Sequence, residues 1–170
     1  MVLIFLCGEV KGMEIKAVWK AIKVTVGKER QVTEALAELG IESYLPMVTI
    51  AERRRGEWEE RQRALLEGYL LIHVNWTAEL YYTLKNMWYV QYPLAGSVEE
   101  AEILYLKQYE ALACQSVIDY TGEWVTYRGP VASAPERIVK VDKRKGRALV
   151  RFELGPDNIM KRWLPVKIIR

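Results

Sequence analysis

His73, Cys7 and Cys114 are the only side chains in this 170-residue sequence that offer imidazole or thiol chemistry. One histidine cannot anchor a His-rich metal site, and two cysteines cannot make a disulfide framework. The sequence carries neither a dinucleotide-binding glycine fingerprint nor a Walker-type phosphate loop. Carboxylates and lysines remain for acid–base or nucleophilic work. The pair Glu99–Glu100 falls where a helix is expected to begin, and a positive helix terminus explains it better than proton transfer. His73 lies in an alternating apolar segment with no acid or nucleophile at a recognisable spacing, so packing or a hydrogen bond is its expected role. Cys114, late in an apolar helical stretch, reads as a small buried hydrophobe. The expectation is a non-enzymatic chain with no metal and no cofactor.

Binding is the chemistry the residues favour. Residues 1–98 hold 12 basic and 12 acidic side chains, residues 99–122 hold one and five, and residues 123–170 hold 12 and five, a net +7 at the C-terminal end. Within that end, Lys140, Lys143, Arg144, Lys145, Arg147 and Arg151 form a run of cations interrupted by one acid, Asp142. Such a field attracts phosphates whatever their sequence, or docks on an acidic protein surface. A second group, Tyr81, Tyr82 and Lys85, places aromatic rings beside a cation, which suits base stacking and phosphate contact. Tyr81, Leu84 and Trp88 also fit the spacing of a core stripe. A third set of cations, Arg53, Arg54, Arg55, Arg61 and Arg63, is interspersed with Glu52, Glu57, Glu59 and Glu60 and reads as a solvated hairpin tip.

The elements that must position these groups follow from periodicity. Residues 18–26 alternate, with Ile22, Val24 and Val26 on one face and Trp19, Ala21 and Lys23 on the other. A helix is predicted over 28–39, stopped by Gly40, then a strand over 41–50 broken at Pro46, then the charged hairpin tip around Gly56. Residues 68–75 give the strongest strand signal: Leu70, Ile72 and Val74 share one face, Tyr69, Leu71 and His73 the other. If the first set faces the helices, then Trp19, Tyr69 and Leu71 line the opposite side of an open antiparallel sheet. That side can serve as a protein-binding patch unless a second layer of the same chain covers it. A short helix over 78–87, a strand over 88–94 and a helix from 98 to about 114 complete an α+β sandwich.

The remaining segment changes character. Short strands at 122–130, 137–141, 148–152 and 163–169, with a sharp turn at Asp142–Gly146, predict a small β-barrel. The expected division is a first domain over 15–115, a linker over 116–122 and the barrel over 123–170. The apolar run Met1–Cys7 is too short to span a membrane and has no positive flank before it. It reads as a truncated signal peptide or as an over-long gene start, with Met13 as the alternative first residue. Free cysteines and no export signal favour the cytoplasm, and no membrane partner is expected.

Three segments resemble the NusG family of transcription elongation factors. Trp19–Val24 is similar to the family's opening strand. Residues 63–72 (RALLEGYLLI) are similar to its signature strand, and Gly129–Asp142 followed by KRKGRALVRFE is similar to its KOW module, an SH3-like barrel. Together they span about residues 17–169. Glu67 stands where the family usually has proline, and Ser133 and Glu136, flanking Pro135, stand where the KOW loop usually has glycines. Serine and glutamate are costly at positive φ, so a different loop path is expected, as is a specialised paralogue rather than the general factor.

The resemblance implies an NGN-like domain followed by a KOW-like barrel. It implies that Trp19, Leu66 and Tyr69, with Leu71 on the same face, grip the clamp helices of RNA polymerase. It implies that Tyr81, Tyr82 and Lys85 meet non-template DNA. The barrel, through Lys140, Lys143, Arg144, Lys145, Arg147 and Arg151, would bind nascent RNA or recruit a second factor such as a ribosomal protein or Rho. A monomer that prevents termination or modulates pausing is the resulting expectation. The alternative is an RNA-binding or translation-associated protein that shares the basic barrel and makes no polymerase contact.

Overall fold

The computed structural model describes residues 16–111 and 116–170. The readings of Met1–Cys7, Met13 and Cys114 therefore lie outside the described residues. In chain order the elements are β1 (Val18–Val24), α1 (Glu29–Glu38), β2 (Glu42–Tyr44), β3 (Met47–Arg54), β4 (Glu57–Ala64), β5 (Tyr69–Val74), α2 (Ala78–Asn86), β6 (Val90–Pro93) and α3 (Glu100–Ala111). They are followed by β7 (Ser116–Asp119), β8 (Thr126–Arg128), β9 (Ile138–Asp142), β10 (Arg147–Glu153) and β11 (Ile159–Ile169). The chain is α+β.

The first sheet is antiparallel with strand order β2-β5-β1-β6. Its register sets Trp19 opposite His73 and Lys23 opposite Tyr69, and the two-residue period then sorts the side chains. Ile22, Val24, Leu70 and Ile72 face one way and pack with Val32 and Leu36 of α1 and Leu84 of α2. Trp19, Ala21 and Leu71 face the other way, in a cluster with Leu65, Leu66, Ile103 and Leu106. β3 and β4 form a separate ribbon closed by Arg55 and Gly56, both at positive φ, as a tight hairpin turn requires.

The second sheet has order β8-β7-β11-β10-β9, a β-rich module compatible with a small barrel. The expected linker over 116–122 is corrected here: Ser116–Asp119 is β7, paired in parallel with Val166–Ile169 of β11. The physical reason is the β-branched pair Val117–Ile118 beside the long edge of β11, with Ile118 fully buried. Residues 120–125 form the loop to β8. Residues 130–137 form turns that need no glycine-type backbone. Two short 3-10 turns, Pro130–Ser133 and Pro135–Arg137, each begin with proline, and Ser133 Oγ donates to the Pro130 carbonyl at 3.0 Å. Neither Ser133 nor Glu136 has a positive φ.

The two sheets do not sit apart. The cluster that holds Trp19, Leu66 and Leu71 runs on without a break into Val131, Ala148, Val150, Phe152 and Leu164 of the second module. Gly96 and Gly155 allow the backbones of the two modules to approach. A Cβ on Gly155 would lie 2.9 Å from the Ala95 carbonyl oxygen, and one on Gly96 would strike Pro156.

Candidate functional site

The strand β1 holds Trp19 between partners on both sides. Its ring stacks on His73 at 4.9 Å and 24° and meets Tyr44 edge-on at 6.4 Å. Lys107 of α3 reaches over both rings, at 5.9 Å from Trp19 and 5.7 Å from Tyr44. At the far end of the same face, Lys23 donates to the Tyr69 hydroxyl at 2.9 Å and lies 4.1 Å over its ring. His73 Nδ1 is 3.1 Å from a Glu42 carboxylate oxygen, a packing and pairing role. The sequence-predicted residues are thus brought together on one face, but that face is not open. Trp19 is 7% exposed, Leu66 2% and Leu71 1%, and Tyr69 is half-buried. The expectation of an exposed patch is corrected, because α3 and the second module supply the covering layer.

Polar contacts fix that layer in place. Glu67, just before β5, forms a two-pronged ion pair with Arg162 of β11, one prong at 3.1 Å. Glu102 of α3 pairs with Arg137 and accepts from the Glu153 N–H at 3.1 Å, while Arg137 lies 4.4 Å over the Tyr105 ring. Burial pushes the Glu102 carboxyl up, and Arg137 and the Glu153 N–H offset only part of it. Tyr105 and Tyr109 share a hydroxyl–hydroxyl bond of 3.0 Å, and both rings pack on Phe152, at 5.8 and 5.7 Å. Burial, the largest cause, raises both tyrosine hydroxyls far from titration at neutral pH. A cleft beside this joint is lined by Ser97, Glu99, Glu102, Arg137, Glu153 and Pro156. Its Glu102 and Arg137 are committed to each other, so the cleft presents no free acid–base pair there. No group of three or more metal-ligating side chains occurs among the described residues.

The two cationic groups stand elsewhere. α2 begins at Thr77, whose side chain accepts from the Leu80 N–H at 3.1 Å, and it turns Leu84 inward and Tyr82 and Lys85 outward. Tyr81 is half-buried, edge-on to Trp76 at 6.3 Å and to Tyr82 at 5.4 Å. Trp88 and Tyr89 precede β6 rather than begin it, and Trp88 does not join Leu84 in a core stripe. Trp88 is 85% exposed, and Tyr89 takes a positive φ of 68°.

In the second module the six cations divide. Lys143, Arg144 and Lys145 are exposed in the β9–β10 turn, where Asp142 accepts from the Lys145 N–H at 3.0 Å. Lys140 is exposed on β9. Arg147 is held by Asp142 at 3.3 Å and lies 4.5 Å over Trp163, and Arg151 pairs with Glu153 at 3.3 Å. The β3–β4 ribbon carries a surface pair, Arg61–Glu59 at 3.8 Å, worth little in solvent.

Comparison with known proteins gives three findings. A family model described as "Transcription termination factor nusG" matches residues 17–111, more than half of the chain. Among solved structures, one described as "Domain interaction in Thermotoga maritima NusG" is similar at 14% identity and TM-score 0.54, covering 89% of this chain and 95% of that one. That likeness concerns the fold. Two structures of the MjSpt4:Spt5 complex, in conformations A and B, match at 18% and 16% identity, each at TM-score 0.36, covering 87% and 86% of this chain and 93% and 91% of those chains. No curated protein matches the chain at a significant level. No helix among the described residues is long and apolar enough to cross a membrane.

Proposed function

The chain belongs to the NusG family, and from that premise we propose that it is a specialised, non-enzymatic elongation factor that docks on RNA polymerase and modulates pausing or termination. The observation that carries this reading is the gathering of Trp19, Leu66, Tyr69 and Leu71 on the one sheet face that α1 and α2 leave alone. Apolar and aromatic side chains on one rigid sheet are what an interface centre needs. Because the same cluster continues into the second module, polymerase and that module compete for one surface. Docking requires the second module to leave.

Once docked, the factor changes pausing only to the extent that it binds the elongating form of the polymerase better than the paused form. Tyr82 and Lys85 stand exposed on α2 for non-template DNA, with Tyr81 packed behind them on Trp76. The basic β-module is the recruiting arm for RNA or for a second factor such as a ribosomal protein or Rho. Reaction chemistry is not needed for any of these steps.

Co-sedimentation with reconstituted elongation complexes tests the reading. Tyr69→Ala removes a half-buried ring at the rim of the face, and folding of the variant is checked by its melting curve. Binding by the intact chain, with a loss of about tenfold in the folded variant, is expected for an aromatic contact at an interface. No binding by the intact chain, even with the second module displaced, would rule out polymerase docking.

A further inference from the structure

Two turns meet at one end of the second module. The β7–β8 loop carries Tyr120, Glu123, Trp124 and Val125, and the β9–β10 turn carries Lys143, Arg144 and Lys145. They are in contact: Lys143 Nζ lies 3.6 Å from the Tyr120 ring centroid. The assembly is braced from behind, since the Tyr120 N–H donates to the Ile169 carbonyl at 3.0 Å and Arg170 donates to the Lys143 carbonyl at 2.7 Å. Trp124 is 78% exposed, and Lys143, Arg144, Lys145 and Arg170 are all exposed.

The two local aspartates are each faced by an arginine outside this group of four cations. Asp119 is occupied by the Thr121 N–H and hydroxyl, at 2.9 and 2.7 Å, and faces Arg128 at 3.9 Å. Asp142 is occupied by the Lys145 N–H and by Arg147. Glu123 is the one remaining carboxylate among the residues of the two turns. The end therefore combines four exposed cations with an ammonium–ring pair and an exposed indole.

We infer that this end of the module binds single-stranded nucleic acid, with Lys143, Arg144, Lys145 and Arg170 on the phosphates and Trp124 stacking on a base, while the Tyr120 ring holds the Lys143 ammonium in place. A charged patch alone would suit any polyanion. An indole left 78% in solvent on the loop that carries Tyr120 adds a flat apolar surface on which an unpaired base can stack, whereas a duplex keeps its bases stacked inside and a polyglutamate peptide has no ring to offer. The inference commits the recruiting arm of the proposed factor to a nucleic-acid strand, and it does not depend on polymerase docking.

The test uses the full chain alone, with a fluorescent 12-mer of uridine, the matching thymidine 12-mer, a duplex of equal length and a polyglutamate peptide. Binding to a single strand, tighter than to the duplex or the peptide, is expected, and the ratio of uridine to thymidine strand affinities says which source the site prefers. Trp124→Ala should lower single-strand affinity about 5- to 100-fold with little change in salt dependence, because stacking is lost and phosphate contacts stay. Lys143→Ala with Lys145→Ala should reduce the slope of log affinity against log salt by about 1.4. Tyr82→Ala with Lys85→Ala, on α2, should leave this binding in place. Equal affinity for duplex or polyglutamate, or a Trp124→Ala protein that melts normally and binds normally, would overturn the inference. So would loss of binding in the α2 variant alone, which would place the strand on the other surface and leave the polymerase reading untouched.

Discussion

Burial raises the Glu102 carboxyl above its ordinary range while Arg137, Tyr105 and the Glu153 N–H crowd around it. A carboxyl whose value is higher in the closed arrangement than in the open one holds its proton more tightly when closed. Closure therefore strengthens as pH falls through the raised value, and that gain is complete below the ordinary glutamate value of about 4.3. Small-angle scattering should show no expansion of the chain on acidification from about pH 7 to about pH 5, and any compaction seen should be absent in Glu102→Gln. Expansion on mild acidification would mean that loss of the Arg137 pair outweighs relief of the buried charge. At this scale the sequence was legible where geometry is rigid. A strand has a period of two, so spacing alone puts Trp19, Tyr69 and Leu71 on one face. Their burial could not be read, because the cluster they belong to is completed by residues of α3 and of the second sheet, distant in sequence, with Lys107 of α3 over the Trp19 ring.

A buried polar joint helps to hold the turn between β4 and β5. Glu29, the first residue of α1, is buried, and its carboxylate accepts the Gly68 N–H at 2.8 Å. The Gly68 carbonyl in turn accepts from the Val24 N–H at 2.9 Å, and Gly68 has a φ of 78° that suits glycine. Leu66, Glu67 and Tyr69 are carried on this turn. Glu29→Ala would leave a buried N–H without its acceptor, and urea denaturation should show a loss of about 1–3 kcal/mol. A change well below that would mean that water reaches the amide and that the joint is not a structural one. Element order was readable in the first module except for the ribbon, because helix and strand periods differ and Gly40 and Pro46 mark breaks; Glu57–Ala64 reads as a charged hairpin tip, having no apolar alternation, and forms β4. β7 was not readable. A four-residue segment after a helix looks like a connector until the edge of β11 is there to pair with it. The route of residues 130–137 was not legible, since Ser133 and Glu136 argue only against positive φ there and do not state which turns the segment takes.

As a whole, the molecule presents one sheet face with two claimants. The second module holds that face through a shared apolar cluster and through ion pairs at Glu67–Arg162 and Glu102–Arg137. Polymerase is the proposed competitor. Glu67 is the family position usually taken by proline, and its role here became visible only when Arg162 stood opposite. The side chains of that pair are about a third exposed, 36% for Glu67 and 35% for Arg162, so solvent screens the interaction and its loss weakens closure only moderately. Reversing the charge of the arginine adds repulsion without touching any residue of the docking face. The most direct test is therefore the affinity of Arg162→Glu for reconstituted elongation complexes, compared with that of the intact chain at equal ionic strength. An increase of about three- to tenfold is expected as the second module gives up the face, tenfold corresponding to about 1.4 kcal/mol. Unchanged or weaker binding by the folded variant would contradict competition for the face, and with it the placement of the polymerase contact on Trp19, Leu66, Tyr69 and Leu71.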